Sequence, residues 1–240
     1  MPSSSFAAAL VAMSFLASAY STEVKVGVEP FDFFVFATSW QPEFCYNQPT
    51  YAGCSSPDTL WSSQLTIHGA WPQNTTGAWP DTCTTEAFDV SVIDSIGIDT
   101  FYLNWPNVKI AETDSTYSSF WQHEWEKHGT CSQMSQHDYF ASVVAARPTT
   151  PSIIAASYGK TVSKAALISA YGTVVAPTCM SSTYLSEVYI CVDKTFLPFD
   201  CPASVVAEGN CGDTINVGTF EDLAGPPHKK HVGGEISSQR

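Results

Sequence analysis

The chain has 240 residues, 44% of them hydrophobic and 14% charged, with 10 Lys and Arg against 23 Asp and Glu for a net charge of −13. That apolar content builds a sizeable core, which excludes a disordered chain and a small scaffold dependent on staples. No run reaches the roughly 18 apolar residues of a membrane span, and the acidic balance argues against tracking a long nucleic acid by counterion release, while leaving room for a pocket that reads one or two nucleotides.

The first predicted element is a secretory leader over residues 1–19. It is apolar from Phe6 to Leu16 and then small at Ala17-Ser18-Ala19, as a signal peptidase accepts, although no Lys or Arg precedes the apolar stretch. A buried N-terminal helix is the alternative. The body, residues 20–219, opens with Phe31 to Trp40, apolar on both faces over strand length and therefore a covered central strand. A Pro-turn follows, then irregular chain from Phe44 to Thr66 pinned by a local bridge, and a short strand at Leu65 to His68. Helices are predicted from Phe120 to Gly129, with Gly129 at C′, from an Asp138 cap through Ala146, and from Ser163 to Tyr171, stopped by Gly172. Thr173 to Pro177 and Tyr184 to Val192 read as strands, the second with Val188, Ile190 and Val192 on one face and Tyr189 and Cys191 on the other. Mixed elements without a βαβ repeat favour an α+β fold. Residues 220–240 read as a flexible tail whose His228, Lys229, Lys230 and His231 form a solvated run.

Eight cysteines, Cys45, Cys54, Cys83, Cys131, Cys179, Cys191, Cys201 and Cys211, imply a disulfide framework in an exported chain. Spacing leaves about 105 full pairings open. No CxxC pair occurs, which argues against a zinc ribbon.

FWQHEWEKHGTC, Phe120 to Cys131, carries the most chemistry. On a helix, at about 100° per residue, His123, Glu124, Lys127 and His128 share an arc of about 140°, Gln122 and Glu126 face away, and Trp121 and Trp125 anchor the arc from beside it. Two imidazoles, an ammonium and a carboxylate make a poor packing surface and a good site for an anion undergoing proton transfer. A zincin helix needs its second His four residues after the first, where Lys127 stands, so no metal is expected. Histidines that merely cap a helix end are the bland alternative.

TIHGAWP, with His68, and FWQHEWEKHGTC resemble the two active-site segments of the ribonuclease T2 family, secreted acid ribonucleases that include the plant self-incompatibility ribonucleases. Ala70 stands where Leu is usual. FDFFVFATSWQPEFC is similar to the family's first strand and turn, and EVYICVDK, DCP and GNC to its C-terminal strand and bridge pattern. The resemblance runs from Phe31 to Val217. It implies an α+β fold with a central antiparallel sheet flanked by helices, and cofactor-free, metal-independent cleavage of single-stranded RNA through a 2′,3′-cyclic phosphate to 3′-phosphate ends. DNA, lacking the 2′-OH, is excluded as substrate.

The implied roles are His128 as general base, His68 as general acid, His123 as phosphate ligand, and Lys127 and Glu124 as stabilisers of the transition state. Trp71, Trp79 and Phe120 would line the site for the base 5′ of the cut. Gln73 sits where some fungal relatives have Asp, which leaves base preference open. The implied bridges are Cys45 to Cys54, Cys83 to Cys131, Cys179 to Cys211 and Cys191 to Cys201. Two imidazoles with ordinary pKa values near 6.5 predict an acidic to near-neutral optimum. Asn74-Thr75-Thr76 is a glycosylation acceptor. The expected protein is a monomer without membrane attachment, secreted or held in a lysosomal or vacuolar lumen. The competing readings are an extracellular binding or toxin-like module on the same fold, and a zinc hydrolase.

Overall fold

The computed structural model describes residues 30–46 and 48–223. The predicted leader, residues 1–19, and the predicted tail from residue 224 onward lie outside the described residues.

Among the described residues seven strands form one sheet: β1 Phe33–Ser39, β2 Thr66–Gln73, β3 Lys160–Ser163, β4 Ala176–Met180, β5 Tyr184–Val192, β6 Pro198–Phe199 and β7 Thr214–Val217. Their order is β2-β1-β5-β7-β3, with β4 and β6 also paired to β5. The sheet is antiparallel through five of its six pairings, as the resemblance implied, and mixed by virtue of the sixth. β7 runs parallel to β5, meeting it only at Tyr184 and Asn216, where Asn216 N–H donates to Thr183 O at 2.8 Å.

The phenylalanine-rich β1 is buried along its whole length. Its alternate side chains serve two cores, because successive residues of a strand point to opposite faces. Phe34 and Phe36 join Val188, Ile190 and Val192 of β5 under Ile93, Phe101, Trp121, Trp125, Tyr139 and Phe140, which the helices Val90–Ile96, Ile98–Asn104, Ser119–Lys127 and Gln136–Ala145 supply. Phe33, Val35 and Ala37 face the other way, with Trp71, Cys191 and Val205. The predicted division of β5 into two faces is observed.

Four bridges, Cys45–Cys54, Cys83–Cys131, Cys179–Cys211 and Cys191–Cys201, join the pairs that the resemblance implied. The second closes a separation of 48 residues and ties the end of the Ser119–Lys127 helix to the loop after β2.

Local differences have local causes. Ser135, not Asp138, caps the Gln136–Ala145 helix, its hydroxyl accepting from the Asp138 N–H. Ser163 caps Lys164–Tyr171, and Gly172, at φ 73°, ends it as expected. β4 begins three residues after the predicted Thr173, since Val174 bonds instead to Asp200 and Cys201. Gly129 is no left-handed cap; it opens a tight turn, Gly129–Cys131. A Cβ there would overlap the Trp125 ring and stand 3.1 Å from Tyr139 Cε1, so close packing demands the glycine. Phe220–Leu223, placed in the tail by sequence, is a short helix because Phe220 packs on the Cys45, Trp61 and Val108 cluster.

Candidate active site

β2 pairs with β1 through a bulge: Ala37 faces Gly69 and Thr38 faces Ile67, leaving His68 without an opposite residue. Such an extra residue re-aims side chains. Here it lets Ile67 and Ala70 both enter the larger core while His68 stays at the rim, its side chain 22% exposed. The bulge is pinned from the helical side, where Trp105 Nε1 donates to His68 O at 2.8 Å and Tyr139 OH donates to Ala70 O at 3.0 Å.

The Ser119–Lys127 helix is anchored by Trp121 and Trp125, both fully buried, with Trp121 Nε1 donating to Trp105 O at 2.8 Å. That packing turns Glu124 inward until it is fully buried against Trp71, whose Nε1 donates to Glu124 Oε2 at 2.9 Å. Gln122 and Glu126 are exposed and bond to each other, as the arc predicted. His123 is exposed, Lys127 half-buried and His128 buried. The helix closes at Lys127, so His128 is its C-cap and leaves the arc.

Glu124 and His128 converge with His68 on one indole, that of Trp71. Trp71 lies 5.0 Å from the His68 ring and 5.2 Å from the His128 ring, so both imidazoles flank it. His68 Nδ1–H donates to Glu187 Oε1 at 2.5 Å, and His68 Nε2 stands 3.7 Å from Glu124 Oε1. Burial opposes the charged ring, but the Glu187 carboxylate, with its hydrogen bond, and Glu124 outweigh it and raise the His68 pKa to about 9. Burial likewise lifts Glu124 to about 7 despite His68 and Trp71. His123 moves the other way, lowered by burial and by the positive charges of Lys127 and His68. Glu187 is held below the ordinary carboxylate range; burial works against this, and His68, Tyr189 and Ser39 overcome it.

Trp71, Gln73 and Trp79 line a pocket together with Val35, Pro72, His128 and Glu208. Phe120, expected with them, does not line it; its ring stands 5.6 Å from His68 on another side of the site. The reason is helical: Phe120 lies in the first turn of Ser119–Lys127 and His128 just past its last. Asn74 opens the turn after β2, with Thr75 tied to Asp32 and Thr76 exposed.

The sequence reading missed Glu187, Glu208 and Lys109. Extending the β5 alternation back from Cys191 and Tyr189 would have put Glu187 on their face. Glu208 follows the short helix Ala203–Val206 and carried no signal. Lys109 lies between Trp105 and the Ser119–Lys127 helix in sequence and lends positive potential to His68 and His123.

The model of the Ribonuclease T2 family matches residues 31–201. Among named relatives, extracellular ribonuclease LE of Solanum lycopersicum is 32% identical over 210 residues, covering 79% of this chain and 88% of the relative. Intracellular ribonuclease LX of the same plant is 31% identical, covering 80% and 86%. Ribonuclease DdI of Dictyostelium discoideum is 31% identical, covering 81% and 91%. RNase NT in complex with 5′-AMP superposes with a TM-score of 0.62 at 29% identity, covering 78% of this chain and 98% of that one. Ribonuclease MC1 from bitter gourd seeds superposes at 0.58 and 28% identity, covering 78% and 100%. With the family model over residues 31–201, relatives above 30% identity along most of their length and the fold in agreement, the chain belongs to the ribonuclease T2 family and is an endoribonuclease of that type.

Proposed function

We propose that this ribonuclease cuts single-stranded RNA by two-histidine acid–base transesterification, and that His68, bonded to one carboxylate and facing a second, is the acid. His128 takes the proton from the ribose 2′-OH as that oxygen attacks phosphorus. His68 Nε2–H protonates the 5′-oxygen as its bond to phosphorus breaks, leaving a 2′,3′-cyclic phosphate. Water then opens the ring to a 3′-phosphate, with the two histidines exchanging roles. Lys127 and the His123 imidazolium offset charge on the phosphoryl oxygens, and Glu124 holds Trp71 and balances the cations. The observation that carries this reading is the shared indole: Trp71 touches both imidazoles, so one phosphodiester can meet both.

The protonation pattern refines the expected pH dependence. An acid held charged to about pH 9 remains competent throughout the acidic range. The falling limb then comes from His123, whose lowered pKa removes a phosphate-binding charge early as pH rises. Lower pH also reduces repulsion between an acidic protein and RNA.

For the base 5′ of the cut, Trp79 offers a stacking face, Trp71 forms the wall beneath it, and Gln73 and Glu208 offer polar edges; Phe120 serves the leaving-group side. The substrate needs a 2′-OH, so DNA is not cut. No described helix is long and apolar enough to cross a membrane. Four bridges persist where the compartment is oxidising, which supports passage through the secretory pathway and a monomer outside the cell or in a vacuolar or lysosomal lumen.

The test is cleavage of a short single-stranded RNA at pH 5 with excess EDTA, comparing native protein with His68→Ala and His128→Ala. Cyclic-phosphate ends that disappear in both variants are expected. Undiminished cleavage in either variant, or no cleavage by the disulfide-bonded native chain, would overturn the assignment.

A further inference from the structure

We propose that Glu187 is a positioning residue for the leaving-group proton: it fixes the His68 ring through Nδ1–H and so reserves Nε2 for the reacting oxygen. This rests on the reading of His68 as the general acid. Three adjacent strands build the arrangement. His68 projects from the bulge of β2, Ser39 lies at the end of β1, and Glu187 sits opposite Ser39 on β5.

The carboxylate is itself held. Its Oε1 accepts from His68 Nδ1 at 2.5 Å and from Ser39 Oγ at 3.2 Å, and its Oε2 accepts from Tyr189 OH at 2.9 Å. Its side chain is only 12% exposed. Burying a carboxylate costs desolvation that an ion pair seldom repays in stability. A carboxylate bound on both oxygens and aimed at one imidazole nitrogen instead behaves as an orienting group.

The ring's two ends are treated differently. Glu187 is within bonding distance of Nδ1, whereas Glu124 Oε1 stands 3.7 Å from Nε2, too far to claim its proton. Nε2–H is therefore available to the departing 5′-oxygen. Once that proton has left, the neutral ring keeps its remaining hydrogen on Nδ1, because Glu187 accepts only there. The Nε2 lone pair is then ready to take a proton from the water that opens the cyclic phosphate. One fixed tautomer serves both steps without a ring flip. The other charged or titratable groups facing this pair are Lys109, His123 and Lys127 on the cationic side, Glu43 beside Glu187, and Tyr189.

The experiment follows His68 by nitrogen-detected NMR in the full disulfide-bonded chain, with pH profiles for RNA cleavage and for hydrolysis of a 2′,3′-cyclic nucleotide. Native protein is compared with Glu187→Gln, Glu187→Ala and Tyr189→Phe. Removing the facing charge should lower the His68 midpoint by about one to three pH units, and with it the acid limb of RNA cleavage at high pH and the base limb of cyclic-nucleotide hydrolysis at low pH. Glu187→Gln, whose carbonyl still accepts from Nδ1–H, should lose about tenfold in kcat with KM nearly unchanged, and Glu187→Ala about tenfold more. Tyr189→Phe keeps the carboxylate and loosens it, so a smaller shift in the same direction is expected; it also serves if the Glu187 variants fail to fold. An unchanged His68 midpoint and pH limb in every folded variant overturns the proposal while leaving the two-histidine mechanism intact. Full activity of His68→Ala retires both.

Discussion

Gly69→Ala probes the joint between the two active-site segments. A Cβ on Gly69 would collide with the Glu124 carboxylate, 3.1 Å from its Cδ, and would lie 2.5 Å from Trp71 Nε1. The methyl would therefore occupy the space crossed by the Trp71–Glu124 hydrogen bond. Nothing nearby yields easily: Glu124 is fully buried, its Oε1 already lacks a hydrogen bond, and Trp71 is packed between two imidazoles. Overpacking of this kind costs about 1 to 3 kcal/mol, and breaking a hydrogen bond to a buried carboxylate costs about 1.5 to 3 kcal/mol. The two share one cause and do not add fully, so a loss of about 3 kcal/mol is expected. In a domain of this size that lowers Tm by roughly 6 to 12 °C. A shift of about 1 Å in Glu124 should also cost on the order of 100-fold in kcat. Thermal unfolding with bridges intact, and initial rates on a dinucleotide at pH 5, measure the two effects. A variant that melts within about 1 °C of native and keeps kcat within about threefold would refute the idea that this glycine is there to let Glu124 and Trp71 meet.

Stability should fall as pH rises. Glu124 and Glu43 are raised from 4.5 to about 7, so their neutral forms favour the fold fully below about 4.5 and that benefit is lost through 7. His68, raised from 6.5 to about 9, loses its contribution through 9, while Glu187, lowered, loses its own only as pH falls below 4.5. A Tm measured across pH that climbs steadily from 5 to 9 would contradict these directions. Trp79, 43% exposed at the pocket mouth, should stack on a base; Trp79→Ala is expected to cost about 1 to 3 kcal/mol of binding, read as KM with little change in kcat, and to alter preference for the base 5′ of the cut. Phe120→Ala should leave that preference unchanged and alter preference on the other side. Replacing Cys83 and Cys131 by Ala opens a 48-residue separation and should cost about 4 kcal/mol in urea unfolding. If Asn74 carries a glycan, intact mass will drop on deglycosylation; an unchanged mass means the acceptor is unused.

What could be read from the sequence is what local rules govern. β5 was legible because Val188, Ile190 and Val192 alternate with Tyr189 and Cys191, and the Lys164–Tyr171 helix because Ser163 and Gly172 punctuate it. The bulge at His68 was not, since it is a mismatch between two strands, and only the pairing of Ala37 with Gly69 and Thr38 with Ile67 creates it. Regular alternation would have sent Ile67 and Ala70 to opposite faces, yet both lie in one core. The parallel contact of β7 and the approach of Glu208 to the pocket are also products of chain crossing. Neither leaves a periodic trace.

The helical arc shows where a correct local rule stops giving the chemistry. Equal spacing treats His123 and His128 as partners on one face, and ordinary pKa values treat His68 and His123 as equivalent cations. Burial separates the first pair by degree, leaving His123 the more exposed and His128 buried against the pocket. Surroundings separate the second: Glu187 and Glu124 keep His68 protonated, while partial burial first, and then the charges of Lys127 and His68 itself, drive the proton from His123. Raising one imidazole is therefore part of what lowers its neighbour, so the two titrations are coupled. It follows that a change at Glu187 should not move His68 alone. As the His68 charge weakens, the His123 midpoint should rise, shifting the phosphate-binding limb toward higher pH while the acid limb shifts lower. Opposite movement of two histidine signals in one variant is something a general loosening of the fold would not produce.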